Sequence, residues 1–185
     1  MESLMQQWQS RACNHEFAGE SINAPDNLPA GIKQGGFMVT TNRKKVQRWQ
    51  RGGPKLVHGS LADWRGQRTY DAAVKAIKAW QHLQLGWNCT TGPAQRPGVV
   101  ICSATQTVVP WSVLPAQVTY STEGAADFGP KDKAAASPWA SSLHGHQLAG
   151  EERFSVELHA DGSVFYDIYL FSRPDTLLAW ASLPW

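Results

Sequence analysis

A histidine and two adjacent carboxylates, His146, Glu151 and Glu152, are the residues whose types and spacing could do chemistry. A carboxylate beside an apolar surface is driven towards its neutral form, and a nearby imidazole can share its proton, so the set could serve as acid and base. The competing reading is structural: Glu151 faces water, while Glu152 and His146 bond each other or a backbone end at the entry to a strand. His144 and His146 also form an H-x-H pair which, on one strand face, could be half of a zinc site with Glu151 or Glu152. Spacing supplies no third ligand, so neither metal nor cofactor is expected. A second polar group is Ser172-Arg173-Pro174. Arg173 could hold an anion at the start of a last helix, or pair with Glu151 or Glu152 and clamp that helix to the sheet. The clamp is the simpler reading. The sequence has no Gly-rich phosphate loop, G-x-S-x-G elbow, H-E-x-x-H or paired C-x-x-C, so catalysis is not the first expectation.

These groups must be positioned by the stretch from Ser141 to Pro174, the most strongly patterned part of the chain. Two alternating runs flank Ala160-Asp161-Gly162. Phe154, Val156 and Leu158 share one face of the first run; Arg153, Ser155, Glu157 and His159 share the other. A two-residue Asp-Gly turn would set Val156 opposite Asp167. A three-residue loop with a bulge at Gly162 sets Val156 opposite Tyr166 and Leu158 opposite Val164, gathering the aliphatic positions on one face, and is favoured. In both registers Glu152 has the parity of Phe154 and points towards the apolar face. His146 has that parity if the strand reaches back so far, although a bulge at Gly150 would break the count.

Gly145-His146, Gly150-Glu151-Glu152-Arg153-Phe154, Asp161-Gly162-Ser163-Val164 and Phe171-Ser172-Arg173-Pro174 follow one another in an ordered string. Upstream stand Trp80-Gln81-His82-Leu83 with Trp87, then Val109-Pro110-Trp111-Ser112-Val113-Leu114-Pro115 with Val118 and Tyr120. This string resembles an uncharacterised plant and bacterial family, domain-of-unknown-function family nineteen-ninety, from about Gly36 onwards. The resemblance implies a fold and brings no function. Relative to the family pattern, the region from Gln47 to Arg68 and the stretch from Gly124 to Ala140 look expanded. Family members also usually continue beyond the Leu183-Pro184 equivalent into a long C-terminal helix.

With 185 residues, one domain with a sizeable core is the default. A net charge of +2 forces neither a nucleic-acid nor a membrane partner, and 42% hydrophobic with 17% charged residues fits a folded chain. Nine tryptophans need a core, a pocket or an interface. Three cysteines without C-x-x-C spacing, and no apolar leader or membrane-length run, indicate an intracellular soluble protein, cytoplasmic or organellar.

Along the chain, residues 1–35 read as a loop-rich arm, with Leu4, Met5 and Trp8 able to form a short docking helix. Residues 36–185 read as a single α+β domain. Phe37 to Thr41 reads as a first strand. The basic run from Arg43 to Lys55, with Trp49 inside it, could grip phosphates, but a solvated edge strand is the better reading and nucleic acid is not the expected partner. Thr69 to Leu85 is the clearest helix, capped by Thr69, with Asp71 in its first turn, Val74, Ile77 and Trp80 on one stripe, and Gly86 as its stop. Strands follow at Trp87 to Thr91, Val99 to Thr107 and Trp111 to Thr122. Pro110 and Pro115 place the segment between them on an edge or across a bend. Gly124 to Ala140 reads as a long loop, and Asp175 to Ala181 as a last helix.

The order implies a curled antiparallel sheet packed on helices, similar to the helix-grip (START/Bet v 1-like) architecture, with a shortened C-terminal helix as one version. In that version the concave face is less covered, and either exposed aromatics meet a partner or the arm fills in. The leading functional expectation is a non-catalytic module holding a small apolar or lipid-like ligand against Trp80, Trp87, Trp111, Phe154 and Tyr166. The alternatives are a structural or interaction subunit with a protein partner, and an enzyme using His146 and Glu152.

Overall fold

In the computed structural model, two long strands run antiparallel from Leu148–Leu158 (β8) and Val164–Pro174 (β9). The structure describes residues 6–23, 28–46, 48–50, 53–55, 65–92, 95–106, 111–122 and 133–181. The three-residue Ala160-Asp161-Gly162 loop joins β8 to β9. His159 N donates to Ser163 O at 2.9 Å, and Gly162 takes the left-handed φ of 77° that an L side chain resists. Leu158 therefore faces Val164, Val156 faces Tyr166 and Ser155 faces Asp167. That register continues through Gly150 to Leu148, so Gly150 does not break the count. Glycine is required there by close approach, because a Cβ would stand 2.1 Å from the Phe171 carbonyl oxygen.

The hairpin is the centre of a curled, half-barrel-like antiparallel sheet, consistent with a helix-grip-like α+β arrangement. Its order is β1-β9-β8-β7-β6-β5-β4, with β1 at Met38–Lys45, β4 at Asn88–Thr91, β5 at Val100–Gln106, β6 at Trp111–Tyr120 and β7 at Lys133–Ser142. A separate hairpin pairs β2 (Arg48–Gln50) with β3 (Gly53–Lys55). Besides a helical turn at residues 6–8, the α-helices that lie wholly within the described residues are α1 (Ala30–Gln34), α2 (Gln67–Lys78) and α3 (Leu177–Ala181). Among the described residues no helix is long and apolar enough to cross a membrane.

Several elements differ from the sequence reading. The first strand extends into the basic run, because Arg43 reaches two buried acids of the neighbouring strands. Lys133–Ser142 is a strand, not part of a loop. Its small residues carry no alternation signal, but it is paired on both sides, by β6 and β8. The register shift between Ala136 and Trp139 takes up Pro138, which has no amide hydrogen to give. Pro115 is buried inside β6, not at an edge. Its carbonyl accepts from Leu143 N just beyond the β6–β7 ladder, so its missing donor falls where no ladder bond is needed. Helix α2 starts two residues before Thr69, at a Gly66 cap without a side-chain hydrogen bond, and Thr69 is buried within it. Asp71 therefore lies past the first turn. The helix ends at Lys78, and the left-handed residue that follows its cap is not Gly86 but Trp80, at φ 57°. Leu4, Met5, Pro110, the side chain of Trp49 and residues 124–132 of the expected loop lie outside the described residues.

Apolar clusters cover the two faces of the sheet differently. On the concave face α2 buries Thr69, Ala73, Ala76 and Ile77 at helical spacing. Ala73 and Ile77 meet Phe154, Val156, Leu158, Val164 and Tyr166. On the convex face the N-terminal arm packs Phe17, Ile32 and Phe37 onto Ala149, Tyr169 and Phe171. Helix α2 thus closes only the end of the concave face nearest the Ala160-Asp161-Gly162 loop.

Candidate functional site

The uncovered remainder of the concave face is a cavity of about 540 Å³, within the range of small-molecule sites. Cross-strand register decides what lines it. Glu152 stands between Ala140 and Leu170, Ala116 between Ile101 and Ser142, and Asn42 beside Ile168. Residues directly opposite one another share a face, so a mostly apolar wall carries the Glu152 carboxylate near its middle.

Glu152 is half-buried and has no hydrogen bond or ion pair among the described residues. Burial raises its pKa to about 7, because apolar surroundings withhold the water a carboxylate needs. The Tyr166 phenol, on the same face, is pushed up by burial and then by the negative charge of Glu152. Several other polar groups of this wall are bonded within the protein. Ser142 Oγ accepts from Gly150 N and has two acceptors for its one proton, Asn14 Oδ1 at 2.6 Å and Gly150 O at 3.0 Å, Ser103 bonds Thr90, and Thr105 donates to Asn88 Oδ1.

His82 reaches the same wall from the turn after α2. The left-handed backbone at Trp80 folds residues 81–83 back beneath the helix, a conformation a bulky residue holds only when its packing demands it. Trp80 is fixed against Ile101 and Val118 and stacks on His82 at 5.9 Å, and His82 meets Phe154 edge-on at 4.4 Å. Only 3% of His82 is exposed, and neither ring nitrogen has a hydrogen-bond partner among the described residues. Burial lowers its pKa to about 3, so it is neutral across the physiological range. The sequence presented His82 only as one letter of a motif. Its burial depends on the Trp80 turn, for which no glycine gave a signal.

The sequence-derived candidates separate between the two faces. Trp87, Phe154 and Tyr166 line the cavity, whereas Trp80 packs behind it in the core. Trp111 has the opposite parity from Ser112 and is exposed outside the wall. His146 and Ser172 lie at the cavity's far end. His146 is in a turn before β8, not on the strand, and its Nδ1 is within 2.9 Å of both Leu148 N and Leu148 O. Burial lowers its pKa. No hydrogen bond joins it to Glu152. His144 is exposed in the same turn, so the two histidines do not share a strand face. Among the described residues no cluster of three His, Cys, Asp or Glu could hold a metal.

Glu151 does not face water. It is buried on the convex face, where its carboxylate accepts from Gly19 N at 2.5 Å, Ser21 N at 2.9 Å, Ser141 Oγ at 2.5 Å, Thr119 Oγ1 at 3.1 Å and the Ser21 hydroxyl. It is the anchor of the N-terminal arm. Nor does Arg173 pair with Glu151 or Glu152. It donates to Gly35 O at 2.9 Å and lies 4.5 Å above the Phe37 ring, clamping the arm rather than the last helix. Arg43, from the basic run, pairs with Glu157 at 2.7 Å and Asp167 at 3.0 Å and covers Phe165, so this cation is occupied within the fold.

Residues 40–185 match the profile of a family described as Domain of unknown function (DUF1990). A UPF0548 protein of Arabidopsis thaliana is 34% identical over 136 residues, covering 69% of this chain and 62% of that protein. The chain thus spans less than two thirds of that relative's length. The matched region includes most of β1, all six other strands of the sheet, helix α2 and the half-open cavity, and on that extent the chain belongs to the DUF1990 family.

Proposed function

We propose that this chain is a non-catalytic binding module that holds a small apolar or lipid-like ligand in the concave cavity. The observation that carries the reading is the incomplete cover of the curled sheet: α2 closes one end and leaves a mostly apolar cavity of about 540 Å³ open beside it. A face of that size and composition gains from any apolar body that removes it from water, at about 25 cal/mol per Å². In this reading the fold is a helix-grip variant in which α2 supplies the gripping helix. Phe154 and Tyr166 form the aromatic floor and Trp87 the rim. The experiment is native mass spectrometry of the protein purified gently from its own source. A small added mass that organic solvent removes supports the reading. A bare chain that also fails to enhance the fluorescence of an apolar dye, or to lose that enhancement to competing alkanes, refutes it.

A second reading, an interaction subunit, is favoured by one observation. Leu177, Leu178 and Trp180 of α3 are exposed at 89, 66 and 51%, apolar area that a protein partner would cover. A higher-order assembly in cell extract that disappears on L177E/L178E substitution supports it. Monomeric behaviour in that extract refutes it.

A further inference from the structure

Three buried carboxylates of the central hairpin are met by donors. Glu151 receives the arm, while Glu157 and Asp167 receive Arg43. Glu152, one residue from Glu151 and pointing the other way, is met by none among the described residues. The neighbouring polar side chains of its wall, Ser142, Ser103, Thr105 and Asn88, already direct their hydrogen bonds into the protein. Its cross-strand neighbours, Ala140 and Leu170, have no polar side-chain atom to offer. Ionised, a carboxylate is acceptor only, so its complement must be a donor and is best a cation.

We propose that the cavity selects amphipathic amines, binding an ammonium group on Glu152 and the attached hydrocarbon along Phe154, Ile101, Leu114 and Leu170. The inference rests on the cavity-binding reading above and adds the chemical class of the ligand. An isolated buried carboxylate is costly, and a ligand ammonium offsets that cost while its alkyl chain covers the aliphatic wall. A fatty carboxylate would bring a second negative charge to the same place. Lys44, also on the cavity wall, lies on the edge strand and is exposed, so it competes for anions only at the mouth. His82 is neutral, and burial lowers the pKa of His146, so neither favours a cation that would balance an acid.

The test is isothermal titration calorimetry at pH 8 with three probes that share one hydrocarbon body: n-octylamine, n-octanol and sodium octanoate. The amine should bind about tenfold more tightly than the alcohol, the worth of a charge-assisted hydrogen bond, and the carboxylate more weakly than both. In E152Q the amine and the alcohol should come within roughly threefold of each other, with alcohol affinity unchanged. Octanoate equal to or tighter than octylamine in the wild type overturns the amine selectivity while leaving the cavity reading intact. An amine preference that survives in E152Q overturns the role of Glu152. Failure of all three probes to bind at millimolar concentration overturns the cavity reading itself.

Discussion

Substituting Glu152 by glutamine should stabilise the protein at alkaline pH and not at acid pH. The reason is linkage. The carboxyl has an ordinary pKa of 4.5 in the unfolded chain and about 7 in the fold. Between those values the folded state holds a proton that the unfolded state has released, so stability falls as pH rises from about 4.5 to about 7. Above 7 the fold carries an ionised carboxylate with no partner among the described residues. The full separation corresponds to about 3 kcal/mol at 1.36 kcal/mol per pKa unit. Between pH 5 and pH 8 it amounts to roughly 2–3 kcal/mol. Glutamine cannot ionise. Its own unbonded amide adds an offset that does not vary with pH, so the readout is a difference of differences. Urea denaturation of wild type and E152Q at pH 5 and pH 8 gives four unfolding free energies. The gain from E152Q at pH 8 should exceed that at pH 5 by roughly 2–3 kcal/mol. An effect of equal size at both pH values would show that Glu152 is ionised normally in the fold, and the picture of an unpaired carboxylate on an aliphatic wall would be wrong.

His82 has the opposite sign. Its pKa falls from 6.5 to about 3 on folding, so its contribution is present above pH 6.5 and is lost as pH drops towards 3. Replacing it by leucine should move the acid-unfolding midpoint, followed by far-ultraviolet circular dichroism, to lower pH; an unmoved midpoint would mean that the ring finds a partner. Glu151→Ala leaves the amides of Gly19 and Ser21 and the hydroxyl of Ser141 without their acceptor, at about 3–5 kcal/mol. It should release residues 6–35 to limited proteolysis, and an arm that stays protected would contradict its role as anchor. Gly150→Ala would press a Cβ to 2.1 Å from the Phe171 carbonyl; thermal unfolding should report a loss of about 3 kcal/mol or more.

The central hairpin was legible because two local signals agreed. Alternation from Phe154 to Leu158 and from Val164 to Leu170 set the faces, and the loop length set the register. Glu152 then followed by parity alone. What was not legible depended on distant partners. Lys133–Ser142 carries no alternation of its own and is a strand because two neighbours flank it. Glu151 looked solvent-facing because its donors, Gly19 and Ser21, are about 130 residues away in an arm with no periodic pattern. The start of α2 was misplaced for a local reason: Thr69 satisfies the composition of a cap, but Gly66 supplies the backbone conformation. The five candidate ligand aromatics divided by position. Phe154 and Tyr166 were fixed by strand parity. Trp80 depended on a left-handed turn, and Trp111 on a register shared with β5 that the sequence did not reveal.

Glu151 and Glu152 are adjacent on one strand, so the pleat sends them to opposite faces. The backbone imposes that divergence, but not what each meets. On the convex face the N-terminal arm brings two amides and a hydroxyl to Glu151, and the same arm packs Phe17, Ile32 and Phe37 over the adjoining apolar surface. That face is completed from within the chain. On the concave face α2 supplies apolar cover at one end and no donor to Glu152. If Glu152 were only structural, an aliphatic residue there would continue the wall from Ala140 to Leu170 at no electrostatic cost. A carboxylate held instead without a partner lowers stability at pH 8 by an amount comparable to a good hydrogen bond to a charged group. In the proposed complex the same energy would be returned by a donor from outside. The asymmetry between two neighbouring glutamates thus distinguishes the face that the fold closes for itself from the face it leaves open, which is the face the proposed ligand would occupy.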